Sequence, residues 1–187
     1  MGMSTSRKRW SAEEIDALPD DGLRYEIIDG ERFVTPGPSS SHQQAVVRLL
    51  HLLLPTCDKL ALYLSTAPED VTFGKFDRVQ PDLFVMSRRP SGGAEARASD
   101  AEARLLVVEV ASPGSRHTDR VRKRELYQAH GVKEYWIVDT DTRVIERWRL
   151  AGAEAEVIRD VIEWRPVAER DAIRIDLGEY FRVVCDA

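Results

Sequence analysis

The chain reads as an α/β protein, a mixed β-sheet flanked by helices with an amino-terminal β-hairpin. Three observations carry that reading. Leu105 to Val110 is an apolar, β-branched run of the length expected for a fully buried strand. A helical segment follows it, and then a second apolar run, Glu134 to Asp139, so the unit from Leu105 to Val138 is expected to be a right-handed parallel crossover. Near the amino terminus, two short strand-like segments flank Asp29-Gly30, a pair suited to a tight turn.

Taken in order, Ser11 followed three residues later by Glu14 forms a capping-box pattern and predicts a short helix to about Leu18, ended by Pro19. The hairpin pairs Leu23–Ile28 with Glu31–Val34. Its alternation sets Arg24, Glu26 and Ile28 on one face and Tyr25 and Ile27 on the other. Pro36 to Ser41 is a loop ending in an N-cap. From His42 a helix is expected with Ala45, Val46, Leu49, Leu50 and Leu53 as its apolar stripe, stopped at Pro55. Leu60–Ser65 and Glu69–Phe73 read as strands. Gln80 to Met86 reads as a third, entered through Pro81, where a proline is tolerated.

Arg88 to Ala103 is rich in Ser, Gly, Ala and charge without a period and reads as a mobile loop, with a short helix near its end. Ser112-Pro113-Gly114 turns the central strand into a basic helix running to about His130, with Gly131 as its left-handed stop. After Glu134–Asp139, Thr140-Asp141 turns the chain into Arg143–Leu150. Shorter strands are expected around Ala155–Arg159 and Ala172–Ile175, and Leu177–Phe181 closes the fold. Residues 1–22 read as an extension carrying the short helix, and 23–187 as one domain, a length sufficient for a substantial core.

Composition narrows the function. A hydrophobic content of 43% with 32% charged residues places the chain among ordinary globular proteins. No apolar stretch approaches the ~20 residues that span a bilayer, and the basic start lacks the apolar core of a secretory signal. Cys57 and Cys185 are far apart and read as free thiols in a cytoplasmic setting. A net charge of −5 argues against a protein that coats nucleic acid non-specifically. A local basic patch, Arg116, Arg120, Arg122, Lys123 and Arg124, could still touch phosphates, although such a run is about as often a solvated helix face.

Glu109 is the first residue that demands an explanation. A carboxylate in a buried strand costs several kcal/mol, on the order estimated for unpaired buried ions, unless it is paired or metal-bound. In the helix that follows, Asp119, Lys123 and Tyr127 recur every four residues and share one face. Asp82, directly after Pro81, is a second acid at a strand position. If the two strands are neighbours, Asp82 and Glu109 can converge on a hard divalent cation, with the Val110 carbonyl as a further ligand. Mg²⁺ keeps several waters and needs few protein oxygens. Such an ion polarises a phosphoryl oxygen and activates water, and a nearby lysine stabilises developing charge.

Several of these pieces also resemble one family. Asp82 in QPDLF, Glu109 in VVEVASPGS, the D-x-x-x-K-x-x-x-Y helix, GVKEYWIVD, and the earlier YEIIDGE and PGPSSSHQ resemble, in the same order, the Uma-two-type restriction endonucleases. The resemblance covers about Tyr25 to Asp139 and implies membership of the PD-(D/E)XK nuclease superfamily. That membership implies a restriction-endonuclease-like core and hydrolysis of DNA with Mg²⁺ or Mn²⁺. By this resemblance Asp82 and Glu109 are the metal-holding acids. The superfamily lysine should fall at Ala111 and is expected instead from the following helix, at Lys123. Glu26 and His42 match recurrent family positions and are expected to support the site.

Plainer roles stand beside these. Asp82 could serve only as a strand-start residue, and Glu109 could pair with a buried arginine such as Arg24. Lys123 could form an i,i+4 pair with Asp119 worth about 0.3–0.5 kcal/mol. Glu26 could be a surface charge, His42 a capping or packing residue, and Tyr127 and Trp136 core aromatics. The leading expectation is a metal-dependent DNA endonuclease, with a homodimer inferred from the need to cut two strands. The alternatives are a catalytically silent nuclease-fold module that binds nucleic acid or protein, and an enzyme acting on another phosphodiester or nucleotide.

Overall fold

The computed structural model describes residues 8–19, 21–35, 37–87 and 104–186. The loop expected over Arg88 to Ala103 lies outside the described residues.

Helix α1 (Ala12–Asp16) carries the capping box: Ser11 Oγ accepts from the Glu14 N–H at 3.2 Å, and Glu14 Oε2 accepts from the Ser11 N–H at 2.9 Å. The Trp10 N–H donates to the Gly30 carbonyl, and the Ala12 N–H to that of Lys75, tying this segment to the hairpin. Strands β1 (Arg24–Ile28) and β2 (Glu31–Thr35) form that hairpin in the expected register, with Glu26 opposite Phe33. Asp29 and Gly30 both have positive φ, 51° and 75°, the requirement of a type I′ turn. Strands β3 (Tyr63–Thr66), β4 (Val71–Gly74), β5 (Asp77–Val79) and β6 (Leu83–Met86) follow helix α2 (Ser40–Lys59).

Six strands make the main sheet, in the order β10-β9-β8-β7-β6-β3. Here β7 is Arg104–Val110, β8 Glu134–Asp139, β9 Val144–Arg149 and β10 Glu156–Ile158. β7 and β8 pair in parallel as expected for the crossover, and their neighbours pair antiparallel. A smaller sheet has the order β2-β1-β5-β4. A final hairpin joins β11 (Val161–Trp164) to β12 (Ile173–Asp176).

The period of two along β7 divides the interior into two layers. Leu106, Val108 and Val110 pack with Trp136, with α2 and with α5 (Leu177–Cys185) in one core. Val107 and Ala111 face the other, which holds Phe84, Tyr127, Tyr135 and, from the small sheet, Ile28 and Val79. By the same parity Glu109 points into this second layer, as do Asp82, two residues before Phe84, and Glu26, two before Ile28. Period and pairing thus gather three acids between the two sheets.

Two local expectations are corrected, and two elements are added to what the sequence shows. Pro55 does not stop α2; the helix continues to Lys59. An interior proline costs about 3 kcal/mol, and burial of Leu53 and Cys57 on either side of it holds the last turn against the core. The strand expected from Leu60 begins only at Tyr63, because Leu60 caps the helix and Ala61 takes a positive φ of 52°. Short β5, buried at Val79, lacks a periodic signature of its own. Leu177 opens an amphipathic helix whose cap is Asp176, with Oδ1 accepting from the Glu179 N–H at 2.9 Å.

The basic helix is also not one α-helix. It comprises α3 (Arg116–Thr118), a π-helical turn (Asp119–Lys123) and α4 (Arg124–Ala129). The Arg124 N–H reaches back five residues to the Asp119 carbonyl, which also accepts from the Tyr135 hydroxyl at 3.2 Å. Single π turns inside helices recur at functional sites.

Candidate active site

β6 and β7 place the first two acids. Their register pairs Leu83 with Val108, and one step further sets Asp82 opposite Glu109. Asp82 Oδ2 accepts from the Val110 N–H at 2.8 Å and lies 3.0 Å from His42 Nε2. Asp82 Oδ1 lies 3.5 Å from an Arg24 guanidinium nitrogen, and Arg24 also donates to the Gln80 carbonyl at 2.7 Å. Arg24 therefore partners Asp82, rather than Glu109 as the plainer reading had it.

Glu109 Oε1 accepts from Lys123 Nζ at 3.0 Å and from the Tyr127 hydroxyl at 2.7 Å. Lys123 Nζ is also 3.0 Å from Glu26 Oε1 and 3.9 Å from Asp119 Oδ1. Glu26 Oε1 accepts in addition from the Gln80 N–H at 2.8 Å. The π turn thus carries a lysine to Glu109 from a backbone twelve residues beyond Ala111, which itself lines the same space. Glu26, Asp82, Glu109, Asp119 and Lys123 are all at most 4% exposed.

These groups border a cavity of about 500 Å³. One wall is the loop into α2, with Ser39 and His42; another is the Ser112-Pro113-Gly114-Ser115 turn after β7. The structure brings Asp82, Glu109, Val110, Lys123, Glu26 and His42 together around this one space. The Val110 contact is its N–H to Asp82. Tyr127, expected as a core aromatic, is buried and also bonds Glu109.

Electrostatics in the cavity are unbalanced. Four buried acids, Glu26, Asp82, Glu109 and Asp119, face the fixed cations Arg24 and Lys123. Burial pushes the Glu109 carboxyl well above its ordinary range; Lys123 opposes this, while Asp82, Asp119 and Glu26 add to it. Burial alone would discharge Lys123, but Glu109, Glu26, Asp119 and Asp82 outweigh it and raise its pKa above the ordinary lysine value. Burial also works to raise Asp82, yet His42, the Val110 N–H and Lys123 hold it low. Asp119 is raised by burial, against the pull of the Lys123 ammonium and the Ser115 hydroxyl, and neither carboxylate oxygen has a partner within hydrogen-bond geometry among the described residues.

Hard carboxylate oxygens crowded around one cavity fit a divalent cation. Among the described residues no three His, Cys, Asp or Glu side chains form a ready-made ligand cluster. Two carboxylates with retained waters meet the undemanding coordination of Mg²⁺.

Asp119 is the site residue that sequence reasoning left aside. Its place in D-x-x-x-K-x-x-x-Y was the available signal, but i,i+4 spacing suggested only a helix-surface ion pair. Arg24 was likewise placed on the correct strand face without its partner.

The basic patch is otherwise committed. Arg116 pairs with Asp141 and Asp139, and Arg120 with Glu146 at 2.6 Å and Asp139 at 3.3 Å. Arg122 pairs with Glu31 at 3.2 Å, and Arg124 lies over the Trp148 ring. Each of these arginines already has an acidic or aromatic neighbour.

A crystal structure described as a putative nuclease from Anabaena variabilis matches 93% of this chain and 98% of its own length, with a TM-score of 0.75 at 18% identity. At that identity the likeness is one of fold. No curated protein matches the chain. No helix among the described residues is long and apolar enough to cross a membrane. Residues 12–170 match the model of the Uma2 family, described as putative restriction endonuclease. With that match extending over most of its length, the chain belongs to the Uma2 family.

Proposed function

We propose that this protein is a metal-dependent DNA endonuclease that hydrolyses phosphodiester bonds. The observation that carries the reading is the meeting of Asp82 and Glu109, from paired strands, with Lys123 in one cavity. Asp82 and Glu109, with the Val110 carbonyl, would hold Mg²⁺ or Mn²⁺. When bound, that ion supplies Lewis-acid polarisation of a phosphoryl oxygen and a more acidic water. Lys123 orients the attacking water or offsets charge developing on the phosphate. Tyr127 fixes the rotamer of Glu109, His42 that of Asp82, and Glu26 steadies the ammonium. Two copies acting together would cut both strands, and two free cysteines suit a cytoplasmic setting.

A catalytically silent nucleic-acid or protein-binding module is the second reading. Ala111 at the usual lysine position and the engagement of Lys123 by two carboxylates favour it. Supercoiled plasmid incubated with Mg²⁺ or Mn²⁺ decides between them, alongside Glu109→Ala and Lys123→Ala proteins checked for folding. Nicking that falls at least ~10²-fold in both variants, the scale of losing a principal charge-stabilising group, is expected. Loss in Glu109→Ala alone removes Lys123 from the reaction. A wild type that cuts no DNA form with either ion leaves the binding module as the function.

A further inference from the structure

Asp119 is a buried carboxylate that the reaction outlined above does not use. It is 1% exposed and borders the cavity. Its carbonyl is bonded twice, to Arg124 and Tyr135, so its backbone is held firmly. Its carboxylate, by contrast, has no hydrogen-bond partner among the described residues. Keeping such a group buried is costly. The cation beside it is Lys123, whose Nζ stands 3.9 Å away while bonding Glu109 and Glu26 at 3.0 Å.

We propose that Asp119 is a positioning residue that receives the Lys123 ammonium once Glu109 is engaged by a divalent cation. The inference rests on the metal-dependent reading of the site. Glu109 cannot serve both cations equally, because an ammonium hydrogen-bonded to its carboxylate repels a metal ion at the same group. A movement of about 1 Å brings Nζ from its present separation into hydrogen-bond range of Asp119. Glu26 stays within reach throughout, so the ammonium exchanges one carboxylate for another without meeting water. The π turn serves this exchange by holding Asp119 and Lys123 on one wall of the cavity. Asp119 need touch neither metal nor DNA.

The test is Mn²⁺ binding by calorimetry on wild type, Asp119→Asn, Lys123→Gln and the double variant, with thermal midpoints in EDTA. Asp119→Asn replaces, at nearly constant volume, a buried carboxylate that lacks hydrogen bonds among the described residues. It is expected to raise the metal-free midpoint and weaken Mn²⁺ binding about tenfold, since the ammonium then stays on Glu109. In the Lys123→Gln background the same substitution should change affinity less than about twofold.

Unchanged Mn²⁺ affinity in Asp119→Asn overturns the proposal. An equal weakening in both backgrounds also overturns it, because Asp119 would then act on the metal without Lys123. Should Lys123→Gln fail to fold, a crystal structure of the Mn²⁺-bound wild type decides. Nζ must approach Asp119 and withdraw from Glu109; unchanged distances refute the exchange. A folded wild type that binds no Mn²⁺ contradicts the metal-dependent reading itself, an outcome distinct from binding that ignores Asp119.

Discussion

Asp119 and Asp139 are both buried aspartates, and neighbouring residues of one π turn look toward the two of them. Lys123 faces Asp119, whereas Arg120 reaches Asp139. Asp139 is fully served: its Oδ1 accepts from the backbone N–H groups of Asp141 and Thr142, each at 3.1 Å, and Arg116 and Arg120 close on its two oxygens. Asp119 has no hydrogen-bond partner at either oxygen among the described residues. Burial works to raise both carboxyls. At Asp139 the hydrogen bonds and arginines win and the pKa is lowered; at Asp119 burial wins and it is raised. A satisfied buried acid holds a fold together. An unsatisfied one beside a cavity stores a cost that a ligand or a moving cation can relieve.

The contrast breaks most readily at Asp139. Asp139→Ala leaves two buried backbone donors without their acceptor and takes from Arg116 and Arg120 one of the two acids each one meets. It should lower unfolding free energy by about 2–3 kcal/mol, the scale of leaving buried donors unsatisfied, as read from urea denaturation. A loss no greater than a typical surface substitution, about 0.5 kcal/mol, would dissolve the distinction between the two clusters.

pH sharpens the contrast through its sign. A carboxyl raised in the folded state, as at Asp119, keeps its proton longer than in the unfolded chain. Its contribution is complete below the unfolded value near 3.8 and is lost as pH rises through the folded value. For Asp139, lowered in the folded state, the contribution is present above about 3.8 and is lost as pH falls. One such group changes stability by at most about 1.4 kcal/mol per pH unit. In metal-free urea titrations, Asp119→Asn should therefore flatten the decline above pH ~4, and Asp139→Ala the decline below it. Both variants altering the same limb would contradict the assignment.

The smallest effect is expected at Arg120, which the sequence suggested as a phosphate contact. Its guanidinium is one-third exposed and already paired with Glu146 and Asp139. Arg120→Ala should cost about 1 kcal/mol, the upper range of exposed ion pairs. The salt dependence of DNA affinity should stay as in wild type. A shallower salt slope, by about one unit, would return Arg120 to the phosphate-binding surface.

Much of the fold and the candidate site could be read before any coordinates. Local signals with strong physics matched the structure: the capping box at Ser11, the Asp29-Gly30 hairpin, the buried run at β7, and Gly131 as a helix stop with φ 73°. What escaped depended on distant packing. The helix passes Pro55 because its last turn is buried, and β5 is too short to announce itself. Asp119 looked like half of a surface ion pair because helical spacing says nothing about what a sheet will bring against that face.

The sequence by itself determined which residues are chemically able to form a site: acids at Asp82 and Glu109 on strands of fixed alternation, and a lysine four residues beyond Asp119. Period and residue type are properties of the local chain. Tertiary structure alone decided which cation each acid meets. It gave Arg24 to Asp82, Lys123 to Glu109 and Glu26, two arginines to Asp139, and, among the described residues, no hydrogen-bonding partner to Asp119. Charge in a buried space is settled by neighbours a few ångströms apart, and those neighbours come from β1, β6, β7 and the π turn, segments separated along the chain and joined by sheet pairing and packing.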